Sequence, residues 1–244
     1  MFHVLTILGT RPEAIKLAPV IRELRRHAGR LQTTVCVTAQ HRELLDLALE
    51  TFDLRPDFDF DLMTFDQTFG RLVPRMLARL GDLMRLVAPD LVLVQGDTTS
   101  AFCGALVGFH RRIAVGHVEA GLRTHNRLQP FPEEVNRRLI SQLADWHFAP
   151  TKRAAQHLLA EGVERGRIAL TGNTVVDALE IVLDETPDGC RDAWKQDRPI
   201  VLVTTHRRES FGEPLARICT AVALLAREFP RCLFVFALHP NPQV

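Results

Sequence analysis

Two loop segments hold the residues of this chain best suited to chemistry: Val94-Gln95-Gly96-Asp97-Thr98-Thr99 and His117-Val118-Glu119-Ala120-Gly121-Leu122-Arg123-Thr124. Each places a carboxylate just past an apolar run of strand length. In an open α/β sheet the strand ends form the ligand crevice, so Asp97 and Glu119 are expected to face one space. Glu133 and Glu134 follow Phe131-Pro132 at a predicted helix start, where an acid also serves as a partner for the helix dipole. Asp97, Glu119 and Glu133 together can keep one carboxyl protonated beside ionised neighbours, supplying both acid and base at neutral pH. His117 precedes Glu119 on the strand and is expected to point to the opposite face, as a core histidine rather than a ligand. The cluster lacks the His/Cys spacing of a zinc site.

A cationic partner for that cluster lies near the N-terminus, in Leu8-Gly9-Thr10-Arg11-Pro12-Glu13-Ala14-Ile15-Lys16. Gly9 permits a tight strand-to-helix turn, Pro12 suits the first helical turn, and the helix start presents free N–H groups to an anion. Arg11 and Lys16 add fixed positive charge, as a diphosphate leaving group requires. The segment has neither GxGxxG nor GxxxxGK[ST], so it is no dinucleotide or P-loop signature, and no cofactor is expected. Near the C-terminus Thr204-Thr205-His206-Arg207-Arg208-Glu209-Ser210 again follows a strand and opens a helix. There His206 is a candidate proton carrier and the two arginines are candidate anion clamps. His239-Pro240-Asn241-Pro242 caps the last strand in the same way.

The elements that must position these groups alternate regularly. Strand candidates at Val4–Leu8, Thr33–Thr38, Asp90–Val94, Ile113–Val118, Trp146–Ala149 and Arg167–Thr171 are separated by helical periodicity at Ala14–His27, Arg42–Phe52, Thr68–Val87, Thr98–Phe109, Glu134–Leu143 and Lys152–Glu161. Repeated βα units of this kind predict an α/β fold with a doubly wound, Rossmann-like parallel sheet. A further helix to about Asp184 leads to the polar stretch Glu185–Pro199, read as a linker or insertion. The unit restarts with Ile200–Thr204, a helix over Glu213–Phe229 and Leu233–Leu238. The expected organisation is an N-terminal domain over 1–171 and a partial C-terminal Rossmann-like domain over 172–244. Two nearly all-apolar parallel strands are normally buried on both faces, which one helix cannot provide.

Composition narrows the function further. With 244 residues, 46% of them apolar and 24% charged, the chain can bury an ordinary core, and its formal charge of +1 offers no net field to steer nucleic acid or anionic lipid. Cys36, Cys103, Cys190, Cys219 and Cys232 are odd in number and show no CxxC spacing. They read as reduced, mostly buried thiols of a cytosolic protein. No apolar run reaches the length of a membrane span, and Phe2–Leu8 is too short for a signal sequence.

The stretches Gly9–Pro19, Thr38–Arg42, Gly96–Thr99, Gly116–Thr124, Pro132–Arg137, Thr171–Ala178, His206–Gly212 and His239–Pro242 resemble, in order, the non-hydrolysing UDP-N-acetylglucosamine 2-epimerases of bacteria. The resemblance implies a GT-B-like pair of Rossmann-like domains. The implied activity interconverts UDP-GlcNAc and UDP-ManNAc by eliminating and re-adding UDP through 2-acetamidoglucal. By matching motifs, Asp97, Glu119, Glu133 and His206 take the family's catalytic positions, and Arg11 and Lys16 its phosphate-side positions. Gln40, His41, Arg207 and His239 are similar to its second UDP-GlcNAc site. Glu43 and Asp66 stand where some members carry Gln and Arg, which speaks against allosteric activation.

The family also continues for roughly another domain half, with an Asp-Ser-Gly-Gly segment and an acidic pair that hold the nucleoside. The present chain is therefore expected to be a C-terminally truncated member. The resemblance further implies a cytoplasmic homodimer that serves cell-surface polysaccharide synthesis. Other readings stay open: a GT-B glycosyltransferase, a hydrolysing epimerase, and an inactive fragment or UDP-sugar-binding pseudoenzyme.

Overall fold

The computed structural model describes residues 1–38, 42–62, 68–187, 197–205 and 212–237. Its first compact unit runs from Met1 to Glu185 and its second from Thr186 to Val244. The division falls after the helix that follows residue 171, where the sequence reading places the domain boundary before it. That helix packs its buried Ala178 and half-buried Ile181 and Val182 into the first unit's core.

In the first unit the strands are β1 (Phe2–Leu8), β2 (Leu31–Val37), β3 (Phe58–Asp59), β4 (Leu91–Gln95), β5 (Ala114–Val118), β6 (Trp146–Ala149) and β7 (Ile168–Leu170). They form one sheet in the order β3-β2-β1-β4-β5-β6-β7, and every pair is parallel. The helices are α1 (Arg11–Arg26), α2 (Arg42–Thr51), α3 (Phe69–Val87), α4 (Thr99–His110), α5 (Glu133–Leu143), α6 (Lys152–Ala160) and α7 (Val175–Glu185). Side chains that alternate along each strand feed two cores, as a period of two requires when both faces are covered. Val4, Leu8, Val35, Val37 and Leu93 face α1, α2 and α7. Leu5, Ile7, Cys36, Val92, Val94 and Val115 face α3, α4 and α5. The doubly wound sheet expected from the alternation is therefore present.

The strand order reverses between β1 and β4, and that switch point is where an open α/β sheet binds its ligand. Helix α4 lies close above it because its sheet-facing side is small. A Cβ on Gly104 would meet Ile7 Cδ1 at 2.9 Å, and one on Gly108 would meet Val115 Cγ2 at 2.9 Å.

Helix α1 begins at Arg11, three residues before its expected start, because Thr10 provides an extended N-cap and Pro12 fits the first turn. Strand β3 is a two-residue edge strand without alternation to reveal it. It is held by Asp57 N–H to Val35 O at 2.9 Å and by Phe60 N–H to Val37 O at 2.9 Å.

The second unit contains β8 (Ile200–Thr204), α8 (Glu213–Glu228) and β9 (Leu233–Ala237). The two strands pair in parallel, and none of their described residues, nor any of α8, is buried. The expected restart of the βαβ pattern is present in element order. Positions 188–196, within the stretch read as a linker, lie outside the described residues.

Of the cysteines, Cys36 and Cys103 are buried, whereas Cys219 is exposed and Cys232 half-buried. The expectation of mostly buried thiols holds for the first unit and not for the second, whose helix α8 has no buried residue. Cys190 lies outside the described residues. Among the described residues no helix is long and apolar enough to cross a membrane.

Candidate active site

The loops that follow β1, β4 and β5 and the start of α5 meet at the switch point. Glu119, one residue past β5, adopts a left-handed φ of 63°, which turns its side chain back toward α1. Lys16 Nζ donates to Glu119 Oε2 at 2.6 Å and to Oε1 at 2.8 Å. The amide of Asn173, just past β7, donates to Oε1 at 3.0 Å, and Gln95 Nε2 donates to Oε2. A carboxylate with 10% of its side chain exposed is thus fixed by a cation and two amides, as its desolvation demands.

Asp97 stands across the β4–β5 edge. Arg137, one turn into α5, pairs with Asp97 Oδ2 at 2.5 Å, and Asn136 Nδ2 donates to the Asp97 carbonyl at 2.9 Å. Burial pushes the Asp97 carboxyl above the usual aspartate range, and the nearby charges of Glu133 and Glu119 push it the same way. Arg137 opposes that rise without cancelling it. Two of the acids expected to share one space with Asp97, Glu133 and Glu119, are thus near enough for their charges to act on it. Glu133 opens α5 and is half-buried.

His117 is fully buried, and its Nε2–H donates to the carbonyl of Gly96 at 2.7 Å. Burial lowers its pKa to about 3, so the ring is neutral and supports the turn that presents Asp97. It is the core histidine that the strand pattern predicts.

Arg11 is half-buried at the start of α1 and has no acidic partner among the described residues, so its guanidinium is available to an anion there. Lys16, placed on the phosphate side by the resemblance, pairs with Glu119 in this structure. His206, Gln40, His41, Arg207 and His239 lie outside the described residues.

Several residues of the site escaped the sequence reading. Glu13 has 1% of its surface exposed and accepts hydrogen bonds from Gly9 N–H at 3.0 Å, Thr10 Oγ1 at 2.8 Å and Thr98 Oγ1 at 2.7 Å. Burial raises its pKa to about 7 against the lowering effect of those donors. The Thr-x-x-Glu spacing from Thr10 was the available signal. Arg137 lies one helical turn after Glu133, a spacing that marks it only once the helix is known to start there.

Glu134, next to Glu133, faces inward and is a structural anchor. Its side chain is unexposed and accepts from the N–H groups of Thr124 at 3.0 Å and His125 at 3.2 Å, while Arg138 pairs with it at 3.2 Å. Burial acts to raise its pKa, but these donors and Arg137 outweigh it, leaving the pKa below the ordinary 4.5. A depressed folded-state pKa contributes stability that is present above 4.5 and is lost as pH falls through the folded value. The melting-temperature advantage of the wild type over Glu134→Gln should therefore be constant between neutrality and pH 5 and shrink below about pH 4.5. Parallel acid limbs in the two proteins would remove Glu134 as the cause.

The UDP-N-acetylglucosamine 2-epimerase family profile matches residues 22–244. The chain belongs to this family. A Yersinia pestis UDP-N-acetylglucosamine 2-epimerase is 47% identical over 99% of the chain, and a Bacillus subtilis enzyme of the same name is 45% identical over 99%. The chain covers 66% and 63% of those two relatives, and 65% of a Thermotoga maritima relative. A crystal structure of the Neisseria meningitidis epimerase bound to UDP-GlcNAc is 43% identical, with a TM-score of 0.91 over 100% of this chain and 67% of its own. MurG of Acinetobacter baumannii, at 12% identity and a TM-score of 0.56 over 99% of this chain and 67% of its own, shares the fold alone. In this family setting the acid cluster described above sits on the motifs Gly96–Thr99, Gly116–Thr124 and Pro132–Arg137 that carry the resemblance.

Proposed function

We propose that this chain is a UDP-GlcNAc 2-epimerase, interconverting UDP-GlcNAc and UDP-ManNAc at the switch point of the first unit's sheet. One observation carries the reading: Asp97, paired with Arg137, is held above the usual aspartate range by burial and by the charges of Glu133 and of Glu119, itself paired with Lys16. The relatives' names and the UDP-GlcNAc in the Neisseria structure support the choice of substrate.

The chemistry follows from the groups present. A carboxylate removes the proton at C2 of the sugar, the C2–H electron pair becomes the C1=C2 bond, and the C1–O bond breaks as UDP leaves with its electrons. A protonated carboxyl then delivers a proton to the other face of C2 while a UDP oxygen rejoins C1. Two faces need two proton carriers, and acids on separate loops provide them. Arg11 and the α1 N-terminus stabilise the departing diphosphate. By the family motifs alone, His206 takes a further catalytic position, and Gln40, His41, Arg207 and His239 take the positions of a second UDP-GlcNAc site. The reading carries with it a cytoplasmic homodimer that supplies UDP-ManNAc to polysaccharide synthesis.

Incubation with UDP-GlcNAc in deuterated water, followed by NMR at C2, tests the proposal. Deuterium at C2 together with UDP-ManNAc is expected. Free ManNAc with UDP, or a bound but unlabelled substrate, would overturn it in favour of hydrolysis or of binding alone.

A further inference from the structure

The Glu13 carboxyl joins two loops that no other described side chain joins through both of its oxygens. Oε2 takes the Gly9 N–H and the Thr10 hydroxyl, immediately before Arg11. Oε1 takes the Thr98 hydroxyl, immediately after Asp97. A glutamate three residues after an N-cap normally serves that cap from the helix surface. Capping does not require the near-complete burial of Glu13, and a buried carboxyl without a cation is costly unless its acceptor sites are used.

The packing around it leaves no slack. A Cβ on Gly9 would lie 2.1 Å from Ser100 Oγ and 2.4 Å from Thr38 Oγ1, and those two hydroxyls are themselves 2.8 Å apart. The Thr98 hydroxyl also accepts from Ala101 N–H at 3.0 Å, so the atom that meets Glu13 fixes the first turn of α4 as well. The loop that carries Asp97 is thereby clamped against the loop that carries Arg11.

We propose that Glu13 is a positioning residue that sets the placement of the Asp97 carboxyl relative to the anion site at Arg11, acting through the Thr98 hydroxyl. Misplacement of a reacting group by about 1 Å can cost roughly a hundredfold in rate. The effect falls on the chemical step, because Glu13 is buried behind both loops and offers no atom to a ligand. Its kinetic consequence rests on the epimerase reading, whereas its effect on Asp97 does not.

Both are measured on the 244-residue chain. Glu13→Gln keeps the shape but has one accepting end in place of two, so the Thr98 hydroxyl must turn from donor to acceptor or the Gly9 N–H must lose its partner, and Thr98→Ala removes the partner hydroxyl. Each is expected to lower kcat for C2 exchange about 10- to 100-fold with KM changed less than threefold. The double variant should lose no more than either single one, as a shared path requires, and Thr98→Ser should restore the rate. Carbon-13 carboxyl NMR of Asp97 gives the second reading: its titration should move in Glu13→Gln and Thr98→Ala and stay in place in Thr98→Ser.

Additive kinetic losses, or a raised KM at unchanged kcat, would overturn the proposal. An unmoved Asp97 titration would overturn it whether or not the chain turns over. A wild-type chain without C2 exchange would defeat the epimerase reading alone, leaving Glu13 to be judged by the Asp97 titration. Should Glu13→Gln fail to fold, the Thr98→Ala and Thr98→Ser pair decides.

Discussion

Asp97→Asn is expected to slow deuterium entry at C2 of UDP-GlcNAc by about a thousandfold, or about 4 kcal/mol of transition-state stabilisation. The substitution preserves the volume of the side chain and removes its ability to carry a proton. It also leaves Arg137 without the carboxylate it meets at 2.5 Å. The fold should tolerate this, because the Asn136 amide holds the backbone carbonyl of residue 97 rather than its side chain. UDP affinity should change by less than threefold, since the diphosphate contact proposed for Arg11 comes from a separate loop. A variant that keeps a tenth of the wild-type rate would remove Asp97 from the proton-carrying role. A variant that loses UDP binding in proportion to rate would make Asp97 a binding group instead.

Asp97 and Glu119 were legible in the sequence because the information is local. An apolar strand followed by a turn and an acid has one place to go in a parallel sheet. The partners of those acids were not legible. Lys16 reads from the sequence as an anion contact beside Arg11, and nothing in that reading reveals the bond of its ammonium to Glu119, two strands away in the sheet order. Sequence spacing does not encode that reach, because β4 comes between β1 and β5 only after the chain has folded. Glu13 illustrates the same limit. Its Thr-x-x-Glu spacing reads as a cap, while the bond from Thr98, 85 positions later, exists only through the pairing of β1 with β4. Edge strand β3 was missed for the opposite reason, since two residues contain too little pattern to count. The α7 boundary depended on tertiary packing: Val175–Glu185 has helical periodicity, but only the burial of Ala178 among α1 and α2 residues assigns it to the first unit.

Gly121→Ala is expected to cost about 3–5 kcal/mol of stability, far more than one methyl group usually does. Gly121 has a φ of 88°, and a Cβ there would lie 2.2 Å from the backbone carbonyl oxygen of Ala154. The left-handed conformation alone costs a residue with a Cβ about 1–2 kcal/mol. The rest arises because the obstacle is main chain on α6 and cannot rotate away. His157 Nδ1 also donates to the Gly121 carbonyl at 3.0 Å, so α6 and this loop are tied as well as touching. Either α6 or the loop must move, and Glu119 lies two residues upstream.

Gly96→Ala is the control that separates conformation from contact. Its φ is 71°, but the nearest atom to a Cβ there is Glu119 Oε2 at 3.9 Å. Only the conformational cost of about 1–2 kcal/mol should appear. At roughly 2–4 °C per kcal/mol for a unit of this size, calorimetry should place Gly121→Ala roughly 6–20 °C below the wild type and Gly96→Ala only a few degrees below it. Equal losses in the two variants would mean that backbone conformation accounts for both, and that the contact between the Glu119 loop and α6 is softer than its geometry requires. A large loss confined to Gly121→Ala would instead make α6 the rigid wall against which the turn presenting Glu119 is set.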